Sequence, residues 1–182
     1  MDRISQAWAT AEKAFEGIMY GDLPYMKHLR DAHDVVVSVG IDDKTIRIAT
    51  ILHDCVEDTV LTVQDIERDF GWRIAQLVWA VSDGPGKNRQ ARHANTYSKI
   101  YSIENAIIVK LADRIANLKA SIGAMTKLEK SDKFKMYLKE RDSFKGALLG
   151  SSYNFHFYEA RVNKLWDIYD ATYKLGEKAL NG

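Results

Sequence analysis

Apolar residues recur at steps of three and four along almost the whole chain, and that period commits it to helices. Ile4, Trp8, Ala11, Phe15 and Ile18 form the first stripe. Leu29, Ala32, Val35, Val36 and Val39 form a second, over Tyr25 to Val39, with Gly40 placed for a left-handed C-terminal cap. A short loop around Gly21 to Pro24 separates the two. Asp42 or Asp43 can cap a third helix that runs to about Glu57. Thr62-Val-Gln-Asp65 resembles a capping box and opens a short helix ending at Gly71, and Trp72 to Val81 follows. Ser82 to Asn88 (SDGPGKN) is the clearest loop. Helices are then expected over Arg89 to Ser102, Glu104 to Ser121, about Leu128 to Leu148 and about Phe155 to Leu175. The Val- and Ile-rich runs at 35–39 and 46–51 would suit strands, yet neither strict alternation nor a hairpin turn supports them. The chain therefore reads as a single compact all-α domain over residues 1–182, without repeats, low-complexity tracts or linkers.

Composition narrows the function. With 46% hydrophobic residues, 11 Gly and 2 Pro in 182 residues, there is material for a core. Lys and Arg total 26 against 25 Asp and Glu, for a net charge of +1. A protein that neutralises nucleic-acid phosphates shows a basic excess, so no nucleic-acid partner is expected. Cys55 is the one cysteine, which rules out an intrachain disulfide and fits a reducing compartment. The N-terminus carries Asp2, Arg3, Glu12 and Lys13 and has no apolar targeting core. No apolar run approaches the ~20 residues a spanning helix needs. A cytoplasmic protein with no membrane segment is expected.

Chemistry concentrates in Ile51-Leu-His-Asp-Cys-Val-Glu-Asp-Thr59. On a continuous helix, His53, Asp54, Glu57 and Asp58 fall within about 140° of arc, opposite Ile48, Ile51, Leu52, Cys55 and Val56. Three acids and a histidine on one side of an apolar helix call for a cation, and a divalent metal satisfies both carboxylate and imidazole. A solvated face with His53 paired to Glu57 is the other arrangement open to the segment. Asp113 lies in Ile107-Ile-Val-Lys-Leu-Ala-Asp-Arg-Ile-Ala-Asn-Leu118, an apolar and therefore central helix, with Asn117 one turn on. His28 stands just inside a helix start, in Pro24-Tyr-Met-Lys-His28. His28, His53, Asp54 and Asp113 make a mixed imidazole and carboxylate quartet of the kind that suits Mn, Fe, Zn or Co and leaves room for water.

Those residues carry a resemblance to the HD-domain superfamily, whose ligands run His, His-Asp, Asp in that order. Within it the chain is most similar to the hydrolase domain of RelA/SpoT-type enzymes and to stand-alone small alarmone hydrolases. The matching pieces are PYMKH (24–28), ATILHDCVEDT (49–59), TVQDIERDFG (62–71) and VKLADRIANLK (109–119), about residues 20 to 120. The C-terminal helices, 121–182, lie beyond them. The resemblance implies an HD-type helical fold in which His28, His53, Asp54 and Asp113 hold a metal, usually Mn²⁺. It makes Glu57 and Asp58 the pair that positions and activates water, and sets Asn117 beside a bound nucleotide. The implied reaction removes the 3′-pyrophosphate of guanosine tetra- or pentaphosphate, the alarmone (p)ppGpp of the stringent response, giving GDP or GTP. Some small members also remove the 2′-phosphate of NADPH. No room is left for a synthetase domain, so hydrolysis without synthesis is expected.

Charge on the leaving group calls for cations. Arg89, Arg92 and Lys99 follow the SDGPGKN loop, where members of that family present basic residues to the phosphates. Lys133, Lys135 and Tyr137 are further candidates, and Lys110 and Arg114 flank Asp113. Three departures from the family pattern stand out. Phe15 to Leu23 is apolar and acidic where the family carries a histidine and basic residues against the base. Leu29 replaces a proline after the first ligand. Ile115-Ala116 replaces a bulky pair. The metal set is intact while the base pocket is altered. Hence a second expectation is the same chemistry on NADPH, an adenosine-type alarmone or another phosphorylated nucleotide. A third is a catalytically silent helical module that binds a nucleotide or a protein. SDGPGKN fails the P-loop pattern and reads as a turn near the site mouth. Cys55 reads as core. His33, His93 and His156 have no helical partner at ligand spacing. Tyr153, Phe155, Phe157, Tyr158, Trp166, Tyr169 and Tyr173 read as core and surface of the last helix.

Overall fold

The computed structural model describes residues 2–128, 130–149 and 158–181. Among them the chain forms ten helices and one minimal hairpin. These are α1 (Arg3–Ala14), β1 (Met19–Tyr20), β2 (Leu23–Pro24), α2 (Met26–Ser38), α3 (Lys44–Leu52), α4 (Cys55–Asp58) and α5 (Val63–Phe70). Then come α6 (Trp72–Val81), α7 (Arg89–Ser102), α8 (Ala106–Leu128), α9 (Asp132–Leu149) and α10 (Glu159–Asn181). The β-branched runs at 35–39 and 46–51 are helical, so the all-α reading holds. None of these helices is long and apolar enough to cross a membrane.

Local signals explain most boundaries. Asp2 caps α1, and Asp43 caps α3 by accepting from the Thr45 and Ile46 amides at 2.7 and 3.3 Å. Thr62 and Asp65 form the reciprocal capping box of α5. Gly40, at φ +77°, ends α2: its amide bonds the Val37 carbonyl and the Ile41 amide bonds that of Val36, at 2.9 and 3.4 Å. That is the paired pattern of a Schellman cap, and buried Ile41 supplies its apolar contact.

α8 is the axis. It packs against α2, α3, α6, α7, α9 and α10, and Ile108, Val109, Leu111, Ala112, Ile115, Ala116 and Leu118 are fully buried around it. α9 and α10 close one side with aromatic packing, in which Phe144 stacks on Tyr169 at 5.5 Å between ring centroids. Tyr169 and Tyr173 are core; Tyr153, Phe155, Phe157 and His156 lie outside the described residues. Cys55 is core as expected, its thiol pushed up to about 12 by burial.

Two elements differ from the expectation. The loop expected around Gly21 to Pro24 is the turn and second strand of a hairpin, in which Met19 pairs with Pro24 and Tyr20 with Leu23. Gly21 takes φ +63° at the first central position, which a two-residue turn with one left-handed residue requires. The helix expected to run to Glu57 breaks at His53-Asp54. The Thr50 carbonyl accepts from His53 Nδ1 at 2.8 Å, and the backbone ladder restarts from the Asp54 carbonyl, which takes the Glu57 and Asp58 amides. Polar chemistry at the site interrupts the helix at the residues that carry it.

Candidate functional site

α2 supplies His28, the end of α3 and the following turn supply His53 and Asp54, α4 supplies Glu57 and Asp58, and α8 supplies Asp113 and Asn117. His28, His53, Asp54 and Asp113 converge. His28 Nε2 lies 3.2 Å from His53 Nε2, 3.2 Å from Asp54 Oδ2 and 3.3 Å from Asp113 Oδ1. His53 Nε2 lies 3.1 Å from Asp54 Oδ2 and 3.5 Å from Asp113 Oδ1. Both imidazoles and Asp113 are buried.

His53 donates through Nδ1 to the Thr50 carbonyl, so its neutral ring aims an Nε2 lone pair at the cluster. Two facing imidazole nitrogens and two carboxylate oxygens at these distances need a positive charge among them. Metal–ligand bonds of about 2.0–2.2 Å set adjacent donors about 2.8–3.6 Å apart in octahedral or tetrahedral sites, and the distances found lie in that range. The donor set therefore fits a divalent ion. His28, His53 and Asp113 alone already offer three ligand atoms within 4.8 Å of one another.

The electrostatics of the cluster are consistent. Burial opposes the charged forms of both histidines, yet the neighbouring aspartates outweigh it and push both upward, His53 well above its ordinary value. Burial would raise Asp113, but the Lys110 ammonium and the two histidines hold it well below the usual carboxylate range. Asp54 is likewise held low, against burial, by His53 and His28.

Beside this cluster opens a pocket of about 160 Å³. Its acidic wall is Asp54, Glu57, Asp58, Asp83 and Asp113; its basic wall includes Arg89, Lys110 and Arg114. Glu57 does not pair with His53, which removes the solvated ion-pair arrangement. Its carboxylate accepts from the Asp83 amide. Desolvation, with the Asp54 and Asp83 charges, pushes Glu57 up to about 7 against the pull of Lys110. Asp58 accepts from the Tyr25 hydroxyl, which also reaches Asp54 Oδ2 at 2.8 Å. Lys110 Nζ sits 3.3 Å from Asp113 Oδ2 and donates to the Val81 carbonyl at 3.1 Å.

Of the other sequence candidates, Asn117 lines the pocket and donates to Asp113 Oδ1. Arg89 lines it too, 2.6 Å from Glu140. Arg92 reaches Asp83 at 3.4 Å, and Lys99 is turned onto the Trp79 and Ser82 carbonyls, so neither lines the pocket. Lys133 meets Tyr20. Lys135 is exposed, and Tyr137 is a wall residue. His93, given no role from sequence, also lines the pocket; burial and Arg89 lower it to about 4, so it is neutral. His33 accepts from Arg47 at 3.1 Å, away from the pocket.

Sequence reasoning missed Tyr20, Tyr25, Asp83, Thr96 and Tyr97 as wall residues. The loop glycines held a signal for Asp83. A Cβ on Gly84 would meet Asn95 at 2.1 Å and one on Gly86 would meet the Arg92 backbone at 2.6 Å, so this loop lies tight on α7. That contact carries Asp83 to Glu57.

The arrangement defines a helical protein in which two histidines and two aspartates converge beside a polar, two-signed pocket. A family profile described as HD domain matches residues 7–135, and the chain belongs to that family. It is 33% identical over 106 residues to a guanosine-3′,5′-bis(diphosphate) 3′-pyrophosphohydrolase of Drosophila melanogaster, covering 54% of this chain and 56% of that protein. It is 30% identical over 131 residues to a probable chloroplastic GTP diphosphokinase of Arabidopsis thaliana, covering 65% of this chain and 18% of that protein. The chain thus spans about a fifth of the length of that longer relative. A solved structure, described as a metazoan ortholog of SpoT that hydrolyses ppGpp, superposes with a TM-score of 0.68 at 23% identity. The match covers 92% of this chain and 95% of that one, and shows the shared fold.

Proposed function

We propose that this chain is a metal-dependent phosphohydrolase of phosphorylated nucleotides, acting on the 3′-pyrophosphate of (p)ppGpp-like alarmones in the cytoplasm. The observation that carries the reading is the approach of His28, His53, Asp54 and Asp113 within 3.1–3.5 Å beside a free-edged Glu57 carboxylate. The names of the Drosophila relative and of the SpoT ortholog support the substrate class.

In this reading His28, His53, Asp54 and Asp113 hold the ion, Mn²⁺ or another divalent transition metal. When bound, it supplies Lewis acidity toward a phosphoryl oxygen and makes water easier to deprotonate. Glu57, held near 7, takes the proton of the attacking water on its carboxylate. Asp58, fixed by Tyr25, orients that water. The water oxygen bonds the phosphorus at the 3′ position, the bond from that phosphorus to the 3′ oxygen breaks, and the proton taken up by Glu57 passes to the departing 3′ oxygen. GDP or GTP and pyrophosphate result. Arg89 and Lys110 face the phosphates, and Asn117 lies beside the nucleotide. Arg92 and Lys99 act on the phosphate end by holding the Ser82-Asp83 loop.

The hairpin favours a second substrate within the same chemistry. Its wall residue at the site is Tyr20, which brings a phenol and no cation where the base would bind. NADPH, losing its 2′-phosphate, or an adenosine-type alarmone fits that wall as well. Purified protein with Mn²⁺ is offered guanosine tetraphosphate, its adenosine counterpart and NADPH, and the products are resolved. Pyrophosphate from the guanosine compound supports the first reading and orthophosphate from NADPH the second. No turnover by folded, metal-loaded protein overturns both in favour of a silent binding module.

A further inference from the structure

His28 and His53 are held by different means. His53 has a backbone acceptor on Nδ1. The Nδ1 of His28 is buried and has no hydrogen-bond partner among the described residues. Metal-binding histidines usually have the second nitrogen fixed by an acceptor, which sets the ring plane and the tautomer. His28 lacks that device, so its plane must be set by packing.

The packing comes from the hairpin. The Tyr20 ring stacks on the His28 ring at 4.7 Å between centroids and 12° between planes. Tyr25 meets the same imidazole edge-on, at 5.9 Å and 87°. The Tyr20 hydroxyl donates to Asn117 Oδ1, and Tyr137 donates to the same oxygen at 3.2 Å. With its oxygen taken by two phenols, the Asn117 amide is locked, and its Nδ2 donates to Asp113 Oδ1, the oxygen that faces the two histidines. Lys133 completes the bracket: its ammonium lies 4.0 Å from the centre of the Tyr20 ring and donates to the phenol at 2.5 Å.

We propose that Tyr20 is a positioning residue for the cation site, setting the imidazole plane of His28 with its ring and the carboxylate of Asp113 with its hydroxyl, through Asn117. The inference rests on the cation site proposed above. One side chain thereby supports two ligands on different helices, α2 and α8. The two arms are separable, since removal of the hydroxyl leaves the stack and removal of the ring takes both.

Binding of Mn²⁺ alone is measured by calorimetry on wild type, Tyr20→Phe, Tyr20→Ala and Tyr20→Leu, with Co²⁺ absorption as a second reading of ligand geometry. Tyr20→Ala is expected to weaken Mn²⁺ binding about 10-fold to 100-fold and to change the Co²⁺ spectrum. Tyr20→Phe is expected to fall between it and wild type, and it remains informative if the alanine variant does not fold. Wild-type affinity and an unchanged Co²⁺ spectrum in folded Tyr20→Ala, or in folded Tyr20→Leu where alanine does not fold, overturn the role of Tyr20 and leave the cation site standing; the same result in Tyr20→Phe alone overturns the hydroxyl arm. Failure of wild-type protein to bind Mn²⁺ or Co²⁺ overturns the cation site itself, and this role with it.

Discussion

His28 Nε2 and His53 Nε2 face each other across 3.2 Å, and the same Asp54 oxygen lies within 3.2 Å of both. Asp113 Oδ1 joins them at 3.3 and 3.5 Å, and four acceptor atoms in that space repel one another unless a proton or a metal ion stands between them. Without an ion, the neighbouring aspartates favour the protonated imidazoles and push both histidines upward. A divalent ion must displace those protons, so its affinity rises with pH. Saturation at about a hundred times the dissociation constant adds about 2.7 kcal/mol of stability. For a domain of this size that raises the melting temperature by about 5–10 °C. Calorimetric melting with Mn²⁺ and with chelator should show the rise, and His53→Ala and Asp113→Asn should lose it.

Glu57 should separate chemistry from ion binding. Its carboxylate bonds the Asp83 amide and lines the pocket, while the four converging donors come from other residues. Glu57→Gln is expected to retain metal by elemental analysis and to lose ~10²-fold or more in rate. Asp54→Asn, which removes a ligand charge, should lose metal and rate together. Loss of metal from Glu57→Gln would end the assignment of Glu57 as base.

The same group sets a pH dependence. Desolvation and neighbouring acids put Glu57 at about 7, above its usual 4.5. A base must be ionised, so turnover is expected to rise with pH through an acid limb at or below 7, since a bound cation favours the carboxylate. The residual activity of Glu57→Gln should lack that limb. A rate profile from pH 5 to 9 on metal-saturated protein checks this.

Most helices and the four converging side chains were legible because their signals are local. Caps at Asp43 and Thr62 and the stop at Gly40 are short-range chemistry, and the quartet announced itself as charge on apolar helices. The break at His53-Asp54 was not legible, because it depends on a histidine side chain taking a backbone carbonyl, and periodicity carries no trace of that. Nor was the hairpin, whose two-residue strands are too short to alternate. Lys99 shows the limit for cations: a lysine in the last turn of α7 finds carbonyls before it finds a ligand, and only packing decides. Tyr20 was hidden for the same reason, since its partners His28, Asn117 and Lys133 come from three separate helices.

Glu140 joins two arginines at the basic end of the pocket. Arg114, almost fully buried, lies 4.7 and 4.5 Å from the Tyr137 and Phe144 ring centres and 2.9 Å from Glu140, which also takes Arg89. Glu140→Ala leaves the Arg114 charge buried without its carboxylate. A loss of about 3 kcal/mol is expected in urea unfolding. Arg114→Met with Glu140→Ala should recover part of it, because the double variant buries no lone charge.

Gly176 tests the packing of α10 against α9, which holds Phe144 and Tyr137 in place. A Cβ built on Gly176 lies 2.2 Å from two Phe134 ring atoms and 3.1 Å from an Ile122 methyl. Phe134 is fully buried, so its ring has nowhere to retreat. Gly176→Ala is therefore expected to cost about 1–3 kcal/mol despite the better helix propensity of alanine. Phe134→Leu alone should also destabilise, by opening space beside Tyr173, whose ring lies 6.1 Å away. Combined, the two changes compensate, and the double variant should unfold at a higher denaturant concentration than the sum of the single losses predicts. Strict additivity in that cycle would mean that the glycine is not there to admit the ring.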